Sequence, residues 1–90
     1  MTQNTQNKPV RTFRLRGISA SIFENTTYTD GQPVIFYKVS LQRSFRQGGE
    51  YKHNSSFSRD DLPVAGLVLR RAWEFILDQE AASSAETNHE

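Results

Sequence analysis

Apolar and polar residues alternate along residues 11–58, and beyond residue 60 the apolar residues recur every three or four positions. Side chains alternate across a strand but return to one face of a helix about every 3.6 residues, so the first pattern predicts strands and the second a helix. The first strand, Arg11 to Glu24, puts Phe13 and Leu15 on one side and Arg14 and Arg16 on the other. After Gly17 the apolar set becomes Ile18, Ala20 and Ile22, a change of phase that predicts a bulge at Gly17. Residues 24–33 (ENTTYTDGQP) are rich in turn formers and read as a loop. The second strand, Val34 to Arg46, places Ile35, Tyr37, Val39 and Leu41 opposite Phe36, Lys38, Ser40, Gln42 and Ser44.

Gly48 and Gly49 mark a hairpin into a third strand, Glu50 to Ser58. A three-residue loop over Gln47–Gly49 keeps like with like. It pairs Phe45 with Tyr51 on the apolar side, and Gln42 with Asn54 on the polar side. A two-residue Gly-Gly turn would mix the faces, so the longer loop is expected.

Residues 60–80 read as one helix, capped by Asp60 or Asp61 and carrying Pro63 in its first turn. Leu62, Ala65, Leu69, Ala72, Trp73 and Ile76 form one apolar stripe, and Val64, Val68 and Phe75 form a second. Covering one small sheet takes an apolar arc of about 100°. The surplus predicts a second buried face, with Val64, Val68, Trp73 and Phe75 at a homodimer interface.

Charge sharpens this picture. The chain has 11 Lys/Arg against 10 Asp/Glu, yet Lys8 to Arg59 holds nine bases and three acids, a balance of +6. Asp60 to Glu90 holds two bases and seven acids, a balance of −5. The polar side of the strands is therefore basic and almost free of acid. Such a face suits a polyanion, with Lys and Arg on phosphates and aromatic rings under bases.

Composition removes other classes. There is no cysteine, so neither a disulfide framework nor a thiolate metal site forms. His53 and His89 have no metal-ligand spacing, and no nucleophile elbow or phosphate-binding loop occurs. No apolar run spans a bilayer, and the N-terminus lacks a secretory pattern. The expectation is a cytoplasmic, non-enzymatic protein without metal, cofactor, membrane or small-molecule substrate. Residues 9–80 are expected to form one domain between disordered tails at 1–8 and 81–90.

Strands with a hairpin followed by one helix resemble the positive-cofactor-4-like (PC4-like) single-stranded-DNA-binding domains, found in a transcriptional coactivator and its bacterial relatives. Residues 39–45 (VSLQRSF) look like that family's second strand, 48–58 (GGEYKHNSSFS) like its hairpin return, and 59–62 (RDDL) like the start of its helix. The resemblance implies a homodimer formed through the helices and a concave sheet that holds an extended single strand. It puts Lys52 and Phe45 at basic and aromatic positions of that site. Gln42 stands where an arginine is expected, and Asn54, Ser55 and Ser56 thin the family's lysine-rich stretch.

The expected fold is α+β: a small twisted antiparallel sheet of three or four strands and one C-terminal helix. The expected function is binding of single-stranded DNA or RNA with low sequence specificity. Arg14, Arg16, Lys38, Arg43, Arg46 and Lys52 would hold phosphates, while Phe36, Phe45 and Tyr51 would stack on bases. That reading requires Arg14, Lys38 and Lys52 to share one open face. The alternative is a protein-interaction module that uses the two-faced helix or a strand edge.

Overall fold

Three tight turns set the architecture. Arg16–Gly17, Asp30–Gly31 and Gly48–Gly49 all have positive φ at both central positions: 53° and 80°, 54° and 78°, 62° and 83°. Paired positive φ marks the type I′ turn, whose twist matches that of the strands it joins. The structure, a computed structural model, describes residues 8–87, with side chains to Ser83. It forms a meander of β1 (Arg11–Leu15), β2 (Ile18–Thr29), β3 (Gln32–Gln47) and β4 (Glu50–Asn54), antiparallel throughout in the order β1-β2-β3-β4. A short 3-10 turn, Arg59–Asp61, then opens into the single helix α1 (Leu62–Thr87). The α+β class is as the sequence predicts.

Several local expectations are corrected. Gly17 is half of a hairpin turn, so the phase change separates two strands, and Leu15 pairs with Ile18. Residues 24–29 are strand, because the β-forming Thr26, Thr27, Tyr28 and Thr29 run on to the Asp30–Gly31 turn. The Gly48–Gly49 loop has two residues, since Gln47 pairs with Glu50. β4 ends at Asn54 rather than Ser58, and the helix continues past Glu80 to Thr87. Residues 81–87 are thus helical, while residues 1–7 and 88–90 of the expected tails lie outside the described residues.

The helix packs on one face of the sheet. Ile18, Ala20 and Ile22 of β2 meet Ala65, Val68 and Ala72 of α1, flanked by Phe13, Tyr37, Leu41, Phe57, Val64, Phe75 and Ile76. Alanines on both partners let the helix lie close to the strands. Phe13 and Phe75 meet edge to face at 6.4 Å, with the Arg11 guanidinium 4.6 Å above the Phe13 ring. On β3 the Tyr37 phenol is raised above its ordinary pKa by burial first, then by the charges of Glu24 and Glu80.

The helix start is tied to β3. The Asp61 carboxylate accepts hydrogen bonds from the Ser58 backbone N–H and hydroxyl, both at 2.9 Å. The Arg43 guanidinium lies 3.8 Å from the same oxygen and donates to the Ser56 carbonyl at 3.0 Å. The Ser58 bonds hold the Asp61 pKa below its ordinary value, partly offset by desolvation, and Arg43 adds a lesser lowering.

Two measurements check these features. Asp61 has a folded pKa below its unfolded one, so its stabilisation is complete above the ordinary carboxylate range and is lost as pH falls through the folded value. Stability measured by urea denaturation from neutral to acidic pH should therefore fall less steeply in Asp61→Asn than in the parent. Second, an alanine at Gly17 or Gly49 costs about 1–2 kcal/mol of left-handed strain. A Cβ at Gly17 would also lie 3.0 Å from the Ser44 carbonyl oxygen, whereas one at Gly49 meets nothing within 4 Å. Gly17→Ala should be the less stable variant, and equal midpoints would contradict this close approach.

Candidate nucleic-acid interface

The turn lengths decide which side chains share a face. From the pairing, β2 and β3 direct Ser19, Ser21, Phe23, Asn25, Phe36, Lys38, Ser40 and Gln42 away from the helix. Arg14 joins them from β1, opposite Ser19, while Arg46 and Tyr51 join them at the β3–β4 end. Glu24 and Glu50 fall on the helix side, and Asp30 sits in a turn. No strand position on this open face holds an acid.

At its centre Phe23 pairs with Lys38 and Asn25 with Phe36. Phe23, Asn25, Lys38, Val39 and Ser40 line a shallow recess of about 330 Å³. The Lys38 ammonium lies 6.0 Å from the Phe36 ring centre. Towards β4 the Arg46 guanidinium sits 5.2 Å over the ring of exposed Tyr51. Beside it Ser44 Oγ and His53 Nδ1 are 2.9 Å apart. Cations, rings and neutral hydrogen-bonding groups therefore alternate across one surface.

The two-residue turn also moves residues off it. Phe45 pairs with Lys52 and Arg43 with Asn54, which puts all four on the helix side. Arg43 lies 4.9 Å over the Phe45 ring and is bonded to the connection before the helix, so both support the fold. Arg14 and Lys38 share the open face and Lys52 does not. The condition that all three share it fails at Lys52, so the expected reading is lost there. What remains of it rests on Arg14 and Lys38 with Arg46, which holds the cationic place at the β3–β4 end of the open face. Tyr51, expected on the core side, takes the exposed place instead. Arg16 is exposed in the first turn, at the rim of the face.

The helix stripes are reassigned in the same way. Val68 is 2% exposed and belongs to the core of the single chain, with Val64 and Phe75 packed partly buried beside it. Trp73 is 58% exposed, and Leu62, Leu69 and Leu77 are exposed along the same flank. That flank faces away from the seam where Arg11 and Phe13 meet Arg71, Glu74, Phe75 and Asp78. It is turned towards the uncovered part of β3.

Asn25 was missed because residues 24–33 read as a loop. The Asp-Gly pair at 30–31 is the signal that extends both strands and brings Asn25 beside Phe36. Phe23 belongs to the polar face by alternation, and its pairing with Lys38 makes it part of the recess. Among the described residues no group of three or more His, Cys, Asp or Glu can hold a metal ion, and no helix is long and apolar enough to cross a membrane. No protein-family model, curated protein or solved structure matches the chain.

Proposed function

We propose that the open face binds single-stranded DNA or RNA with little sequence preference, in a homodimer. The observation that carries this reading is a sheet face without a carboxylate, on which Arg14, Lys38 and Arg46 alternate with Phe23, Phe36 and Tyr51. Lys and Arg neutralise phosphates and release counterions. Aromatic rings stack on bases whatever their sequence, at about 1–3 kcal/mol each. Asn25, Ser40 and Gln42 offer hydrogen bonds to backbone or base edges. Rings need unstacked bases, and that favours a single strand over a duplex.

The exposed flank of Leu62, Leu69, Trp73 and Leu77 supports the dimer, because nothing among the described residues covers it. The same flank favours a second reading, a module that docks a different protein there.

Titration of fluorescently labelled single-stranded and duplex DNA at low and near-physiological salt tests the first reading. Single strands should bind more tightly, with affinity falling as salt rises. Lys38→Ala should weaken binding and lower the salt slope by about one, while Lys52→Ala on the opposite face should leave that slope unchanged. Equal effects of both changes, or no binding at low salt, would overturn the assignment. For the dimer, Trp73→Glu should shift the sedimentation-equilibrium mass from dimer to monomer with the circular dichroism spectrum retained. A parent protein already monomeric would contradict it.

A further inference from the structure

The outer edge of β3 is open over most of its length. β4 pairs only with Arg43–Gln47, so among the described residues Gln32–Gln42 has β2 on one side and no strand on the other. The two-residue turns fix which backbone groups this leaves free. Thr29–Gln32 and Gln47–Glu50 are the closing pairs of their hairpins. In a two-residue hairpin the closing pair is hydrogen-bonded, and bonding then alternates along the strand. Even-numbered residues of β3 therefore bond towards β2, and Ser44 N–H donating to the Gly17 carbonyl at 2.7 Å agrees. The odd residues Ile35, Tyr37, Val39 and Leu41 direct both N–H and C=O outward, and among the described residues no backbone hydrogen bond from another segment meets them.

Such an edge is a template for another strand. The corresponding free edge of β2 carries Glu24, whereas the four outward residues of β3 are all uncharged. Beyond β1, residues 23–38 form a ribbon of two strands, an arrangement that is marginal in water without further packing. Ile35 and Val39 are exposed on the helix side of β3, turned towards the Trp73 flank.

We infer that β3 pairs antiparallel with β3 of a second copy, joining two four-stranded sheets into one. This rests on the homodimer reading and specifies how the copies meet. The outward groups allow registers centred on residue 36, 37 or 38. Centring on 38 sets Lys38 directly against its own copy, a like-charge pair that is destabilising. Centring on 36 sets Leu41 against Gly31 in the turn, where neither of its backbone groups is met. Centring on 37 sets it against Pro33, which lacks an N–H but whose carbonyl accepts the Leu41 N–H. Centring on 37 places Phe36 opposite Lys38 of the second copy and Ile35 opposite its Val39. That register extends the ring–ammonium pairing already present within the chain. It also lays the two open faces side by side as one surface and brings the uncovered helix flanks into the same interface.

The natural chain has no cysteine, which makes the register directly readable. Opposed residues in this register that are not hydrogen-bonded, such as 36 and 38, lie about 4.5 Å apart at Cα, within disulfide range. The Phe36→Cys/Lys38→Cys double variant should oxidise to a covalent dimer on a non-reducing gel, while Lys38→Cys alone stays uncrosslinked. Sedimentation of the parent chain should give a dimer. A parent dimer whose double variant fails to crosslink overturns the edge pairing and leaves a helix-mediated dimer standing. Crosslinking of Lys38→Cys alone overturns the register, and a monomeric parent overturns pairing and homodimer together.

Discussion

A strand can present a side chain on one face or the other, and the length of each turn decides which. In this chain all three turns have two residues with positive φ. That count sends Ile18, Ala20 and Ile22 towards the helix, and gathers Phe23, Phe36 and Lys38 on the face turned away from it. It exchanges Tyr51 for Lys52 at the β3–β4 end. One added residue in any loop would invert the strand beyond it. The distribution of charge between the faces is therefore a consequence of backbone geometry in a few residues.

The helix follows from the same constraint. Its narrow contact, Ala65, Val68 and Ala72, fits the small residues that β2 offers. The Arg43–Asp61–Ser58 cluster anchors its start to β3. What remains is an apolar flank with Trp73 at its centre and a strand edge rich in Ile, Val and Tyr. A chain of this size has little interior to spend, and its largest apolar side chains are not in it. In the proposed assembly the copies meet along the β3 edge and the helix side, which brings Phe36 and Lys38 of each open face to the seam and makes one surface of the two faces.

Alternation and helical periodicity made the class, the C-terminal helix and the basic polar face legible in the sequence. Phe23, Phe36, Lys38 and Arg14 follow from alternation alone, because they lie within uninterrupted runs. The residues beyond a turn do not. Gly48 and Gly49 allow loops of two or three residues, and side-chain similarity across the hairpin favoured the wrong one. In the structure β4 stops at Asn54, so the mixed pairs that a longer strand would force never form. The helix face is drawn differently for a related reason: the core takes Ala65 and Ala72 from one expected stripe and Val68 from the other, and leaves Leu69 and Trp73 outside. Trp73 and Leu69 are larger than Ala65 and Ala72, but the sheet selects the stripe that lets the backbones approach.

The most direct test of the central claim is a map of amide and side-chain chemical shifts during titration with a short thymidine oligonucleotide. The largest changes are expected at Phe23, Asn25, Phe36, Lys38, Arg46 and Tyr51, with Arg43, Phe45 and Lys52 little affected. Changes centred on Arg43, Phe45 and Lys52, or on the helix, would contradict it.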